Sequence, residues 1–177
     1  MAKSFLPPSM RPDPSYAEHV ATIERDGKLE EYLGQITRDA ANGIHAAQSE
    51  AASYALLRAE VPAWNGEALV GAEVFARLAA EHGETGDILR LSGVLMKRAA
   101  ELCGRDDRRA RSFAGEAFIL LEGLWLSKRS SALLESAAML NASEGETDAV
   151  LFDAAIEAVQ PATAKAINDH VKTGGKK

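Results

Sequence analysis

Cysteine is almost absent from this 177-residue chain: Cys103 stands alone, so no internal disulfide can form and nothing points to an oxidising compartment. Proline is scarce past the N-terminus. Four of the six prolines (Pro7, Pro8, Pro12, Pro14) fall in residues 1–14, leaving only Pro62 and Pro161 to interrupt the rest of the chain. Basic residues do not outnumber acids: 20 Lys and Arg stand against 26 Asp and Glu, a net charge of −6. That disfavours a general nucleic-acid binder, which would show a basic face. Long hydrophobic runs are missing as well. The longest, Ala117–Leu121, is far short of the roughly twenty residues a membrane span requires. The opening residues 1–8 hold no apolar core of the signal-peptide kind. A cytoplasmic location is the expectation. Strand signals are lacking too: we find no convincing alternation of apolar and polar residues.

What the chain has in quantity is alanine, roughly a fifth of all residues and the strongest helix former. The apolar residues follow helical spacing. Leu29, Leu33, Ile36, Ala40, Ile44, Ala47, Ala51, Tyr54 and Leu57 recur at steps of three and four, which places them on one helix face. Read as one helix, this seam extends roughly 45 Å and needs a partner along its length. Gly34 and Gly43 lie inside it at a cost of up to about 1 kcal/mol each relative to Ala. A close approach among Ala40, Ala41, Ala46 and Ala47 or a bend at Gly43 would explain them.

The remaining punctuation predicts further helices. Ser15 and Glu18 have capping-box spacing, so a first helix is expected from Tyr16 to about Asp26. Pro62, Asn65 and Gly66 mark a turn. Helices are then expected over about 67–82, with Ala68, Ala72, Phe75 and Leu78 or Ala79 inward, and over about 87–103. A fifth starts near Asp106 and is apolar nearly all round (Phe113, Ala117, Phe118, Ile119, Leu120, Leu121, Leu124, Trp125, Leu126). Such a helix is either central or meets another subunit. It is expected to bend near 127–131 and run on to Leu140. Ser143 and Glu146 offer a second capping box, and a last helix over about 147–171 should be kinked or divided by Pro161. The expected fold is all-α: an antiparallel bundle of five to six helices over 15–172, with an extended Pro-rich arm (1–14) and a frayed tail (173–177).

Signals for chemistry are few. No Glu is followed three residues later by His, no His-Glu-x-x-His or zinc-type Cys/His pair occurs, and no phosphate-binding Gly motif is present. No catalytic residue, metal ligand or cofactor is assigned, and the chain leans away from being an enzyme. His45, deep in the seam, reads as a ligand-binding base, a phosphoacceptor or a hydrogen-bonded surface histidine, the last being favoured. Cys103 sits at a helix C-terminus, which disfavours a thiolate, and reads as a buried structural thiol.

Three sets of residues carry functional expectations. Phe5, Leu6 and Met10 of the arm and Trp64 of the turn are candidates for contact with another protein. Arg105, Arg108, Arg109 and Arg111 could meet an anion or an acidic partner, though Asp106 and Asp107 offset part of their charge. Tyr54, Phe113, Phe118 and Trp125 could line an apolar pocket. The leading expectation is a helical interaction protein (adaptor, regulator or assembly component), expected to be a homo-oligomer. The alternatives are a bundle that binds an apolar small molecule and a nucleic-acid-associated regulator using the arginine cluster.

Overall fold

The structure is a computed structural model that describes residues 6–59 and 65–174. It is all-α. Among the described residues there are nine α-helices and no strand: α1 (Pro14–Arg25), α2 (Leu29–Ala41), α3 (His45–Arg58), α4 (Asn65–Ala80), α5 (Thr85–Leu102), α6 (Asp107–Leu126), α7 (Ala132–Ala142), α8 (Glu146–Ala158) and α9 (Pro161–Lys172). A 3-10 turn, Pro8–Met10, precedes them. The described residues fall into two compact units. Arg11–Val94 form one, and 6–10 with 95–174 form the other, the division falling inside α5.

The seam is two helices rather than one. Asn42 caps α2, and Gly43 takes φ +82. Ile44 N–H donates to the carbonyl of Asp39 at 3.0 Å, and Gly43 N–H donates to that of Ala40 at 3.1 Å. This pair of backward bonds is a Schellman stop, which needs a left-handed residue after the cap. Gly43 supplies it without a Cβ clash. The apolar spacing stays in phase across the break, which is why periodicity alone does not reveal it. Ile44, counted in the seam, is 49% exposed. The seam folds back on itself, α2 on α3, and α3 packs still more extensively on α4; Ala40, Ala47 and Ala51 form a cluster with half-buried Phe75 of α4 against it.

Other boundaries shift for local reasons. Helix α1 begins at Pro14, not Tyr16, because Asp13 is the cap: its Oδ1 accepts the Ser15 amide at 2.8 Å. Those hydrogen bonds hold the Asp13 carboxyl below its ordinary value. Pro14 takes the first helical position, where no amide donor is missed. Helix α4 buries Leu69, Ala72, Ala76 and Ala79. That stripe shares Ala72 and Ala79 with the one expected and leaves Val70 and Val74 outside.

In the second unit, α6 packs on α7 and α8, and α7 on α8 and α9. Helix α6 is central on one side only. Phe118, Leu121 and Leu124 are buried, while Ile119 and Leu126 are each 55% exposed. Gly115 lets α8 come close, since a Cβ there would lie 3.2 Å from Ala158 Cβ. Helix α6 ends in the same Schellman pattern, but with Lys128 at φ 56 in the left-handed position. Pro161 divides the last expected helix into α8 and α9. Buried Glu122 accepts the Gln160 amide at 3.1 Å and so fixes the entry to α9.

Three glycine-related substitutions should separate in sign. Gly43→Ala should cost about 1 kcal/mol, because it forces an alanine into left-handed backbone. Gly34→Ala should gain about 0.5–1 kcal/mol, because Gly34 is inside α2 and its nearest obstacle is the flexible end of Arg38. Lys128→Gly should gain about 1 kcal/mol. Urea unfolding of the three variants checks this. A loss of stability on Gly34→Ala would contradict this packing of α2.

Candidate functional site

Two places concentrate polar chemistry or open surface. The first is in the unit 11–94. His45 is the first residue of α3, and Asp87 lies in the first turn of α5. Asp87 is buried and accepts from three side chains: Ser49 Oγ at 2.7 Å, His45 Nε2 at 2.6 Å, and an Arg90 guanidinium N–H. Burial pushes its carboxyl up, but the hydrogen bonds from Ser49 and His45 and the charge of Arg90 outweigh burial and hold it below its ordinary value. Asp87 is therefore ionised and can only accept, so His45 must carry its proton on Nε2. The His45 ring stacks on His82, with centroids 4.2 Å apart and planes 26° apart. His82 Nε2 lies 3.2 Å from Gln48 Oε1, and that proton too is on Nε2.

This arrangement positions a histidine but does not form a nucleophile relay. Ser49 donates to the same carboxylate as His45, on its other oxygen, rather than to the imidazole. His45 is thus the hydrogen-bonded histidine favoured from sequence, and its unseen partner is a carboxylate 42 residues away. Asp87, Ser49, Gln48 and Arg90 carried no sequence signal of their own.

Next to this cluster on α3, Glu50 anchors two tyrosines. Tyr32 Oη donates to Glu50 Oε1 at 2.6 Å, and Tyr16 Oη lies 3.0 Å from Tyr32 Oη and 3.3 Å from the Glu50 carbonyl. Burial pushes the Tyr16 hydroxyl up to about 12, with the Glu50 charge adding to it. Burial and the bond to Glu50 push Tyr32 up as well.

The second place is on the other unit, along α6. A groove of about 490 Å³ runs between α6 and α8. Gly115, Ala154 and Ala158 give it a small apolar floor, with Ile119 beside them and Arg108, Arg111, Glu116 and Glu157 around them. Arg111 reaches Glu157 at 3.4 Å. Of the arginine cluster, all four members are exposed, and only Arg108 and Arg111 line the groove. The Arg109 guanidinium lies 5.9 Å from the Phe113 ring centre. The nearby acids are used locally: Asp106 Oδ1 accepts the Arg109 amide at 3.1 Å, and Asp107 Oδ1 accepts the Gly104 amide at 2.7 Å.

The other sequence candidates are scattered. Leu6 and Met10 are each 1% exposed, so these two side chains of the arm are buried within this chain instead of presented to a partner. Ser136 Oγ lies 3.9 Å from Met10 Sδ. Phe5 and Trp64 lie outside the described residues. Of the pocket candidates, Phe118 is fully buried, while Phe113, Trp125 and Tyr54 are half-buried. Tyr54 belongs to the unit 11–94 and the other three to its neighbour. Cys103 is partly exposed rather than buried, and it borders a small cleft of about 200 Å³ with Asp107 and Glu146. Among the described residues, no group of three His, Cys, Asp or Glu is placed to hold a metal ion, and no helix is long and apolar enough to cross a membrane. No protein-family model, curated protein or solved structure matches the chain.

The two clusters give opposite pH signatures. Asp87 has a lowered folded-state pKa, so its stabilisation is complete above its ordinary value of 3.8 and is lost as pH falls through the lowered value. Asp87→Ala should cost about 3 kcal/mol at neutral pH, and its deficit should shrink in acid. A deficit constant down the acid range would show that Asp87 is not the titrating group. The tyrosines have raised values, so their contribution is complete below the ordinary 10.0 and is lost as pH rises through about 12 for Tyr16. Tyrosinate absorbance should rise late and together with alkaline unfolding, and Glu50→Gln should bring it to lower pH.

Proposed function

We propose that this chain is a non-enzymatic helical interaction protein, an adaptor, regulator or assembly component of the cytosol that works through exposed helix faces and associates with itself. One observation carries the reading: large apolar side chains stand exposed in register on helices whose opposite faces are already packed. On α6 these are Ile119 and Leu126, each 55% exposed and seven residues apart. Gly123 lies between them with open space where a Cβ would be. On α4 they are Val70 and Val74, 48% and 52% exposed. Single exposed hydrophobics are ordinary, but aligned ones mark contact surfaces.

The α6 face is built for a macromolecule. Its apolar stripe continues through Ile119 into the groove beside α8, whose rim carries both signs: Arg111 pairs with Glu157, and Glu116 lies near them, which leaves Arg108 and its exposed neighbours Arg105 and Arg109 as the basic groups that would suit an acidic partner. Arginines at a helix start oppose the helix dipole, which favours acids there. Local stability therefore does not account for four of them in the segment 105–111. Helix packing supports the antiparallel arrangement: α2 and α3, joined by a three-residue turn, pack on each other.

Replacing Ile119 and Leu126 together by Lys should leave stability within about 0.5 kcal/mol of the parent, since both are exposed surface sites. The same variant should lose the proteins that proximity labelling marks around the parent in its host cell. An unchanged labelled set, with the variant folded by circular dichroism, would remove the α6 face from this reading.

A further inference from the structure

We propose that α4 is the self-association surface, pairing antiparallel with α4 of a second copy about a two-fold axis. The inference rests on the reading of the chain as a self-associating interaction protein, and it names the face. At 100° per residue, Glu67, Val70, Val74 and Arg77 fall within an arc of about 80°. Leu69, Ala72, Ala76 and Ala79, all 1% exposed or less, fill the opposite side, and α3 packs on α4. The outward face is thus a ridge of two valines, with an acid at its N-terminal end and a base at its C-terminal end.

The order of these residues is self-complementary. In an antiparallel pair with its axis at the level of Ala72, each position meets the one equally far on the other side. Val70 then faces Val74 of the partner subunit, and Val74 faces Val70 of the partner subunit. By the same operation Glu67 faces Arg77 of the partner subunit, and Arg77 faces Glu67 of the partner subunit. One operation therefore matches apolar to apolar and acid to base, twice each, as an isologous interface requires. A parallel pair would set Glu67 and Arg77 against their own copies, so charge selects the antiparallel choice.

Side-chain state agrees with this. Glu67 is exposed, and the Arg77 side chain is 40% exposed. Arg77 already donates Nε–H to Glu73 at 3.1 Å. With its contacts inside the chain made, the Arg77 side chain still keeps 40% of its surface exposed, so a second carboxylate across the axis can reach it. One helix pair of this length buries less than the roughly 1,200 Å² of a standard interface, so the dimer should be weak and concentration-dependent.

Sedimentation velocity on the full chain tests this, with three preparations: the parent, Glu67→Arg and Arg77→Glu. The parent should form dimers as concentration rises. Each single reversal should weaken self-association at least tenfold, because it sets like charges against each other at both ends. An equimolar mixture of the two reversed chains should dimerise again, since the two bases of one chain then meet the two acids of the other. Glu67→Arg alters an exposed site, whereas Arg77→Glu also removes the bond to half-buried Glu73, so circular dichroism and thermal melting check that each variant folds as the parent does. Glu67→Gln and Arg77→Gln serve as milder versions, with a smaller loss and a partial recovery on mixing, since the mixed pair regains one Glu67–Arg77 contact while each variant paired with itself has none. A parent that stays monomeric to its solubility limit overturns both the α4 pairing and self-association. A dimer that survives both reversals overturns only the α4 face. Two weakened reversals with no recovery on mixing overturn the antiparallel register.

Discussion

Close approach between alanine-faced helices is the constraint on which this structure depends. Among the described residues, sixteen of thirty-five buried apolar side chains are alanine. An alanine core offers little side-chain surface, so its helices must bring their backbones near each other to exclude water and gain dispersion contacts. The clearest instance is Gly115, where even a methyl would lie 3.2 Å from Ala158 Cβ. The cluster of Ala40, Ala47 and Ala51 is another, with Phe75 supplying the only large group in it. Such contacts leave little tolerance for added volume, and they make helix position sensitive to what happens at helix ends.

Polar fastenings at those ends follow from the same constraint. Short side chains fix the distance between helices better than their register along one another, and a directional bond supplies the register. Asp87 ties the start of α5 to two positions on α3. Glu50 ties α3 to tyrosines on α1 and α2. Glu122 ties α6 to the backbone entering α9. Each joins residues at least eighteen apart in sequence and sits at or below a half-buried surface, where unmet groups would be costly. The three carboxylates divide the labour of orientation that larger interlocking side chains would otherwise perform.

The sequence disclosed the parts of this that repeat and concealed the parts that do not. Helical class was legible from alanine content and three-four spacing, and the division at Pro161 from the ring's missing donor. The break at Gly43 was ambiguous, because a Schellman turn can preserve the phase of an apolar stripe. The stop was visible only as an unusual glycine. The α4 stripe was read in part: Ala72 and Ala79 are buried and Phe75 packs on the core as expected, but Leu69 and Ala76 complete the stripe in place of Ala68, because Ala, Val and Leu stand on most sides of that helix and periodicity cannot rank them. The His45 cluster was half legible. His45 itself stood out, but its fixing group is an ordinary-looking Asp in the first turn of a distant helix, and such a position is explained equally well by the helix dipole. The arm misled in another way: Leu6 and Met10 looked available because prolines surround them, yet a proline-rich strap can bury its apolar groups in its own chain.

The side chains that escape burial bear most directly on function. On an all-alanine helix, turning the stripe by one position changes little energetically, since each alanine buries almost the same area. The larger residues decide, and here Val70 and Val74 lie outside while Leu69 and three alanines fill the inner side of α4, and Ile119 and Leu126 lie outside opposite buried Phe118, Leu121 and Leu124 of α6. Folding alone would gain from covering the exposed four as well, because burying a Val or Ile gains roughly 1.5–3 kcal/mol. Four large side chains set against that gradient at helical spacing represent stability left unused within one chain. The interaction surface proposed above would account for that arrangement, since a second helix laid over these four side chains would bury them.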